Sequence, residues 1–464
     1  MASVVAESTL GELRASVRGE VIGRDDPGYE QARTVYNAMI DKHPALIARC
    51  VDVADVRSAL AFGRGEGLDI AIRGGGHNAA GLGSVDDGLV IDLSSMRWVR
   101  VDPQTHTAVV GPGCTLGDVD HATHAFGLAV PMGVLSTTGI AGLTLGGGVG
   151  YLTRRYGLAI DNLVGVDMVL ADGSFVRASA DEHDDLFWAV RGGGGNFGIV
   201  TAFTFRAYEH ATVIGGPTLW PLEQAAHAMA FYRDFIGQAD DDLNGFFAFV
   251  TVPPGPPFPE HLHLQKMCGV VWCYTGDPAH ADAVFGPVRE FGPPALDGVM
   301  ELPLPMLNSA FDALYPPGLQ SYWRADFVSE LSEEAIAAYV EHGSQLPTPL
   351  STMHLYPIDG AAASVGSADT AWSYREARWA QVIFAVDPDP SKAGLIKSWA
   401  IDYSEAVHPY ASSGGGAYVN FIQEESQERV RASYRGNYDR LAQVKAKYDP
   451  DNVFHVNWNI APAN

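Results

Sequence analysis

The sequence predicts an α+β fold on three observations. Residues 44–207 alternate short apolar runs with glycine turns and brief helical windows, a pattern typical of short strands and unlike a regular alternation of long strands and helices. After Ala207 the pattern changes to longer helical windows and well-spaced apolar strands. From Gly414 onward glycine and aromatic residues return, so we expect the last part of the chain to cross back to the first.

The first part of the chain is predicted to open with a helical lead-in over residues 1–40, followed by a strand that begins within residues 41–50. Apolar runs bounded by turn residues predict further strands at residues 68–72, 88–93 and 108–113. Residues 53–66 predict a helix, because their apolar residues lie near one face and glycines end the segment. A second helix is predicted at residues 116–126.

The middle part of the chain predicts a separate unit of sheet and helices that covers the first part. Strand-like runs lie at residues 246–252 and 269–274, and helix-like windows lie at residues 222–235 and 332–343. The proline-rich stretch 253–257 between the two strands is a loop, because proline lacks the backbone donor that regular structure needs.

Composition excludes several classes of protein. A chain of 464 residues is long enough for two or three domains, and its net charge of −25 disfavours nucleic acid and anionic membranes as partners. We find no run of about 18 apolar residues and no signal peptide at the N-terminus, so we expect a cytoplasmic protein. The four cysteines are too few and too scattered for a disulfide framework or a zinc site, so we expect no metal; they are Cys50, Cys114, Cys268 and Cys273.

One histidine stands at the end of a run of glycines. His77 follows Gly74, Gly75 and Gly76, and residues without side chains let a large flat ligand approach the backbone. A second glycine-rich segment spans residues 133–150. A Rossmann fold would need a strand, a glycine turn, a helix and a later acidic residue in that order, and the glycine runs here lack that context. We therefore expect glycine amides to approach a pyrophosphate and a flat ring.

Together, several segments resemble the berberine-bridge-enzyme-like group of covalent FAD oxidases in the vanillyl-alcohol oxidase superfamily. They agree in order, spacing and residue type at residues 73–81, 131–150, 154–162, 185–200, 418–421, 447–454 and 457–460. The resemblance implies a PCMH-type FAD-binding domain built from both chain ends, with an inserted substrate domain of antiparallel sheet covered by helices. The expected boundaries are residues 1–210 for the first part, with its core at about 43–210, then 211–413 and 414–464.

The resemblance also implies the residues that hold FAD. His77 is the expected covalent attachment point, bonded to the 8-methyl group of the isoalloxazine ring. Many relatives add a cysteine tether in a Gly-x-Cys-x-Thr-x-Gly motif, but Leu135 occupies that position here, so a single tether is expected. Thr138 aligns with a position near the reactive edge of the flavin, although its hydroxyl could instead cap a turn. The other residues expected to bind FAD are Arg73, Gly74, Gly75, Gly76, Asn78, Gly81, Gly133, Thr137, Gly139, Gly142, Gly146, Gly147, Gly148, Gly150, Asn162, Gly198, Ile199, Val200, Tyr418, Asn457 and Asn459.

The catalytic base stays open at this point. Relatives use a tyrosine of a Tyr-x-Asn-Tyr motif, but here Phe421 replaces the second tyrosine. Tyr418 is predicted to lie on a strand, on the face opposite to Phe421. His354, which is predicted to share a strand face with Tyr356, is an alternative base suited to neutral pH, or a half-buried structural histidine. Tyr151 either lines the same pocket or packs in the core.

The predicted function is that of an FAD-linked oxidase. A base takes a proton while a C–H bond of an alcohol, sugar, amine or natural product gives hydride to the flavin, and molecular oxygen leaves as hydrogen peroxide. Two alternatives remain: a flavin-dependent oxygenase or dehydrogenase on the same fold, and a protein that binds flavin or a small ligand without turnover. Ser136 lacks the sequence around it that a serine hydrolase needs.

Overall fold

The first of three main sheets has four short strands. The computed structural model describes residues 7–463. The elements of this region are α1 (Glu7–Ser16), β1 (Glu20–Gly23), α2 (Tyr29–Arg33), β2 (Leu46–Arg49), α3 (Val53–Gly65), β3 (Ile70–Arg73) and β4 (Leu89–Asp92). The strand order is β1-β2-β4-β3, in which β4 runs parallel to both neighbours. The Asp52 side chain caps α3 by accepting a hydrogen bond from the amide of Asp55.

A second, antiparallel sheet packs beside the first. Its region contains β5 (Val99–Asp102), β6 (Thr107–Val110), α4 (Leu116–His124), β7 (Leu128–Ala129), α5 (Ile140–Leu145), α6 (Thr153–Tyr156), β8 (Leu163–Val169), β9 (Phe175–Ser179), α7 (Asp184–Val190), β10 (Ile199–Arg206) and β11 (Tyr208–Glu209). Five of these strands pair in the order β5-β6-β10-β8-β9, and β7 pairs with β11. The glycine-rich residues 133–150 lie between β7 and α6 and surround α5.

The third sheet has eight strands and is antiparallel throughout. The elements are β12 (Thr212–Pro221), α8 (Ala225–Ile236), β13 (Leu243–Thr251), β14 (Lys266–Tyr274), α9 (Ala281–Glu290), β15 (Leu296–Asp297), β16 (Met300–Pro303), α10 (Leu304–Asn308), β17 (Gln320–Val328), α11 (Glu333–Gly343), β18 (Thr352–Pro357), β19 (Trp379–Asp387) and α12 (Ala393–Val407). Its order is β15-β12-β14-β13-β18-β19-β17, with β16 also paired to β12.

The two faces of the third sheet bury different sets of side chains. On β13, Phe247 and Phe249 belong to a core shared with the helices α8, α11 and α12. Phe246 and Ala248, one position off, belong to the core shared with the second sheet and the C-terminal segment. This period-2 alternation gives the sheet one face for the helices and one face for the first part of the chain.

The C-terminal segment returns to the first part of the chain through a buried ion pair. It contains α13 (Gln427–Tyr434) and α14 (Tyr438–Tyr448). On α14 the ammonium of Lys445 lies 2.6 Å from the carboxylate of Asp449, and both side chains are fully buried. The same ammonium donates to the carbonyls of Asn196 and Phe454. Lys445 therefore joins the last turn of α14 to the glycine-rich loop that precedes β10.

The predicted α+β fold class is confirmed, and so are the predicted helices and strands of the central regions, with ends shifted by a few residues. Two predictions are wrong. Residues 1–40 are not one helical lead-in: residues 1–6 lie outside the described part, and α1 and α2 are separated by β1 and followed by a loop. Tyr418 is not on a strand, because the amide of Phe421 donates to the Tyr418 carbonyl and closes a turn. The domain boundaries stay a prediction.

Residues 7–463 contain neither a membrane-spanning helix nor a cluster of metal ligands. None of the helices described there is long and apolar enough to cross a membrane. Over the same residues, histidine, cysteine and acidic side chains form no cluster of three or more that could hold a metal ion. All four cysteines are buried and free.

The buried pair of Lys445 predicts that substitution of two neighbouring lysines lowers the free energy of unfolding by very different amounts. Lys445→Met leaves the Asp449 carboxylate buried without its cation, so we expect a loss of about 3–5 kcal/mol in the free energy of unfolding. Lys447→Met removes an exposed pair with Asp185, so the expected loss is about 0–1 kcal/mol. Urea denaturation of both variants measures the difference, and equal losses would contradict the structural role of Lys445.

Candidate functional site

A cavity of about 310 Å³ lies between the glycine-rich loops and the third sheet. The loop after β3 and the segment around α5 form one wall. Strands β13, β17, β18 and β19 supply the opposite wall, and the turn at Tyr418 and the last residues of the chain close the remainder. The cavity therefore needs all three parts of the chain to form.

Backbone-on-backbone contact holds the two glycine-rich loops together. A Cβ placed on Gly75 would lie 2.6 Å from the Cα of Gly139, and a Cβ on Gly139 would lie 2.6 Å from the amide nitrogen of Gly75. No side chain fits at either position. The contact brings the residue run that ends in His77 next to the N-terminus of α5, whose first residue is Ile140.

Most residues predicted from the resemblance to bind FAD line this cavity. They are Arg73, Gly74, Gly75, Gly76, His77, Asn78, Gly133, Thr138, Gly139, Gly142, Gly146, Gly198, Val200, Tyr418 and Asn457. Leu135, at the position of the second tether, also lines it. Within the described residues none of the four cysteines does.

The other predicted residues lie behind the cavity wall. Asn162 donates to the carbonyls of Tyr156 and Leu158 and so holds the turn before β8. Thr137 lines a second cavity on the far side of the His77 loop. Close approach explains the glycines among them, since an added Cβ would meet a neighbour at 2.0–2.5 Å. The remaining residues behind the wall are Gly81, Gly147, Gly148, Gly150, Ile199 and Asn459.

Unpaired polar atoms mark the cavity and its immediate surroundings. Within the described residues, five predicted cofactor-binding residues carry a buried nitrogen or oxygen without a hydrogen-bond partner: Arg73 Nη1, His77 Nε2, Thr137 Oγ1, Asn457 Oδ1 and Asn459 Oδ1. Buried polar groups normally have partners, so these atoms indicate a polar ligand. Together with the side-chain-free loops, they fit a large flat group that carries hydrogen-bonding atoms.

His77 is a neutral imidazole at physiological pH. Burial lowers the pKa of His77 to about 4, because the charged form loses its hydration. A neutral imidazole has a nitrogen lone pair that can form a bond to carbon. His77 therefore meets the chemical requirement for a covalent attachment point.

A hydrogen-bonded pair faces the cavity from the third sheet. His354 Nδ1 lies 2.6 Å from the hydroxyl of Tyr356, and both side chains line the cavity. Burial lowers the pKa of His354 to about 3 and raises the pKa of Tyr356. The ring of Phe246 packs 4.9 Å from His354 and 4.8 Å from Tyr356. The sequence prediction that His354 and Tyr356 share a strand face is thus confirmed.

Tyr418 is placed by two donors. Its hydroxyl oxygen accepts hydrogen bonds from the amide of Gly148 and from Asn420 Nδ2, both at 2.8 Å. Burial nevertheless raises the pKa of Tyr418 to about 12. The ring of Phe421 lies 4.6 Å from that of Tyr418, so the two rings share the turn instead of facing apart.

Tyr151 lies outside the lining of the cavity. Its hydroxyl is buried and has no partner among the described residues, and its ring packs 6.0 Å from Phe246. The core reading of Tyr151 fits this position better than a place beside a substrate.

Sequence reasoning missed most of the aromatic wall. The period-2 pattern could have shown that Phe246 shares a sheet face with Ala248, but it does not tell which face meets the cavity. The missed lining residues of this wall are Phe246, Phe311, Tyr315, Val382 and Phe384. Arg73 is the only formally charged Asp, Glu, Lys or Arg side chain among the described lining residues, and Asp92 pairs with it at 2.9 Å.

Two family models match the chain at the segments that build the cavity. A model described as an FAD binding domain matches residues 44–179. A second, described as berberine and berberine like, matches residues 417–461. The first range holds both glycine-rich loops, and the second holds the Tyr418 turn and the last residues that line the cavity.

Full-length relatives agree with these matches. The FAD-linked oxidoreductase YgaK of Bacillus subtilis is 30% identical, over 97% of this chain and 98% of its own. The (R)-6-hydroxynicotine oxidase of Paenarthrobacter nicotinovorans is 29% identical, over 96% and 97%. Among solved structures, 6-hydroxy-D-nicotine oxidase from Arthrobacter nicotinovorans superposes with a TM-score of 0.86 at 27% identity, covering 97% of this chain and 99% of that one.

The contact between Gly75 and Gly139 predicts a local sensitivity to one methyl group. Gly75→Ala forces the two loops apart, so we expect purified protein with reduced flavin content and a stability loss of about 1–3 kcal/mol from overpacking. Gly65→Ala is the matched control, because a Cβ there meets nothing within 4 Å. Flavin absorbance per protein and thermal unfolding measure both effects; wild-type flavin content in Gly75→Ala would contradict the contact.

Proposed function

The chain belongs to the berberine-bridge-enzyme-like family of FAD-linked oxidoreductases, and we propose that it is an oxidase whose FAD is attached once, through His77. One observation carries the proposal: a single cavity is lined at one side by His77 and the glycine loops and at the other by His354 and Tyr356. A cofactor held by the first side would share the cavity with His354 and Tyr356.

The single tether rests on the residue that faces the cavity at the second position. Leu135 lines the cavity there, and an alkyl side chain offers no nucleophile. Burial raises the pKa of Cys114 to about 11 and of Cys273 to about 12, so these thiols stay protonated. We therefore assign the covalent link to His77 alone.

FAD, when bound, supplies a two-electron acceptor for hydride and returns those electrons to molecular oxygen as hydrogen peroxide. The chain supplies the remaining functions. Glycine amides and the unpaired Oδ1 of Asn457, which lines the cavity, would satisfy polar atoms of the cofactor, and the aromatic wall would exclude water from the reacting end.

We assign the base to His354. In the required tautomer its Nδ1–H donates to the Tyr356 oxygen, which leaves Nε2 to take the proton of a substrate hydroxyl or amine. The hydrogen bond to Tyr356 fixes the plane of the imidazole. Because burial keeps His354 uncharged, its lone pair is available at physiological pH.

In this assignment Tyr418 orients the substrate or the cofactor and does not accept the substrate proton. The amide of Gly148 and Asn420 Nδ2 already donate to its oxygen. Its own O–H remains free to donate toward the cavity, and a pKa of about 12 keeps that proton in place. We assign Tyr418 to holding the substrate or cofactor by this hydrogen bond, and Thr138, which lines the cavity, to the oxygen-accessible side.

The substrate we propose is an uncharged molecule of modest size that carries a C–H bond next to a hydroxyl or amine. Aromatic side chains form the wall that faces the glycine loops, and Arg73, on the side of the loops, is already paired with Asp92. An ionised group would lose hydration in this space without a counter-charge. Small alcohols, uncharged amines, sugars and apolar natural products meet these conditions. Among them, the molecules with more apolar surface fit the aromatic wall better.

The tether predicts a simple change in the denatured protein. Wild-type protein precipitated with acid keeps its yellow colour in the pellet, because a covalent bond survives unfolding. His77→Ala removes the nucleophile, so its flavin moves to the supernatant. His183→Ala, in the same part of the chain but outside the cavity, is the control and keeps a yellow pellet. A yellow pellet from His77→Ala would overturn the assignment.

The base assignment predicts the pH profile of flavin reduction under anaerobic conditions. With a pKa of about 3, His354 is unprotonated at every higher pH, so the rate stays flat between about pH 5 and about pH 9. His354→Leu lowers that rate by about 10²–10⁴-fold with flavin content unchanged. His342→Leu, outside the cavity, is the matched control.

The same pH profile distinguishes His354 from Tyr418 as the base. A base at Tyr418, with its pKa of about 12, would give a rate that rises about tenfold per pH unit across the alkaline range.

In air, each turnover releases one hydrogen peroxide if the protein is an oxidase. Flavin reduction by substrate without peroxide release would instead indicate a dehydrogenase.

A further inference from the structure

The imidazole of His77 is stacked on the ring of Tyr36. The two ring centroids are 3.7 Å apart and the planes meet at 23°. Tyr36 is 7% exposed, so the ring that faces the imidazole is itself buried. No other aromatic ring among the described residues stacks on His77, so Tyr36 alone supplies a flat surface to this imidazole.

Tyr36 is itself fixed from two directions. Its amide donates to the carbonyl of Gly76, the residue before His77, at 3.0 Å. Its hydroxyl donates to the carbonyl of Tyr315 at 2.7 Å, and its carbonyl accepts from the amide of Gly318 at 3.0 Å. The backbone of Tyr36 is therefore tied to both the His77 loop and the segment before β17, and its hydroxyl ties the ring to that same segment.

The next residue extends this attachment. The buried side-chain amide of Asn37 donates through Nδ2 to the backbone carbonyls of Ala79 and Ser321, both at 2.9 Å. Its Oδ1 accepts a hydrogen bond from the backbone amide of Ser321. Residues 36 and 37 thus connect the loop that carries His77 to the third sheet.

Tyr36 and His77 line different cavities. His77 lines the cavity between the glycine loops and the third sheet, whereas Tyr36 lines a second cavity on the other side of Gly74, Gly75 and Gly76. The stack therefore covers the imidazole from behind and leaves its other side toward the first cavity.

We propose that Tyr36 is a positioning residue for covalent attachment of the flavin, because its ring holds the imidazole of His77 in the orientation that meets the ring methyl. The inference rests on the proposed attachment at His77 and adds a residue outside the cofactor cavity. Without the stack, the imidazole rotates about its two side-chain torsions and spends less time aligned for bond formation.

Atoms and electrons balance in the attachment step with molecular oxygen, the oxidant of the proposed reaction. One C–N bond forms between an imidazole nitrogen of His77 and the carbon of the ring methyl. One C–H bond of that methyl and the N–H bond of the neutral imidazole are lost. The two protons and two electrons leave with molecular oxygen as hydrogen peroxide, so the flavin ends oxidised and attached. Burial, which lowers the pKa of His77, keeps the nitrogen lone pair free for this step.

The test separates attachment from binding. Apoprotein from a riboflavin-starved host is mixed with FAD in air, and acid-stable flavin is followed over time beside the affinity for non-covalent FAD. Tyr36→Leu removes the flat ring, so attachment slows about tenfold to hundredfold while FAD still binds. Tyr36→Phe keeps the stack and loses only the bond to Tyr315, so its rate stays within about twofold.

Two further variants guard against a general loss of structure. Tyr29→Leu removes another buried tyrosine of the same segment, whose hydroxyl donates to Pro44, and should attach flavin at the wild-type rate. Tyr36→Met keeps a side chain of similar length without a flat ring and replaces Tyr36→Leu if that variant does not fold. A general packing role would slow Tyr29→Leu as well.

The outcomes are distinct. Wild-type attachment rates in Tyr36→Leu and Tyr36→Met would overturn the positioning role while leaving His77 as the tether. Equal slowing in Tyr36→Phe and Tyr36→Leu would also overturn it, because the hydroxyl and not the stacked ring would then be responsible. Absence of acid-stable flavin in the wild-type protein would overturn both the attachment at His77 and the inference built on it.

Discussion

The contact between Gly75 and Gly139 is the constraint on which the site depends. Two backbones meet there at a distance that no Cβ allows, and the loops they belong to are the two that line one wall of the cavity. Because the contact is made by backbone atoms, it fixes where His77 leaves its loop and where α5 begins. The same absence of side chains leaves space for a flat group to lie against both loops.

The other wall must be tied to the first, because the cavity lies at their junction. Arg154, on α6, donates to the carboxylate of Asp359 at 2.8 Å and to the carbonyls of Ala239 and Asp240. Asp161 forms a bidentate pair with Arg375 at 2.7 and 2.8 Å. Buried Arg–carboxylate pairs of this geometry fix orientation as well as distance. They tie the segments next to β13, β18 and β19 to the part of the chain that carries the glycine-rich loops.

Local signals in the sequence predicted much of this architecture. Glycines after a one-sided apolar window predicted the end of α3 to within one residue of Gly65, where the helix ends, and period-2 alternation placed His354 and Tyr356 on one face of β18. The rest depends on contacts distant in sequence. Whether Phe246 meets the helices or the cavity is decided by what packs on the sheet. Tyr418 leaves the predicted strand because Trp458 donates to the carbonyl of Val419 and a turn closes at Phe421. Tyr36 carried no signal, because its partner lies 41 positions later in a loop.

The most direct test of the proposed chemistry is the mass of the denatured wild-type protein, followed by fragment masses after proteolysis. Covalent attachment at His77 predicts a chain heavier by one FAD, with the added mass on the peptide that contains His77 and on no other. A denatured chain at the mass of the polypeptide alone, or added mass on a different peptide, would contradict the single tether at His77.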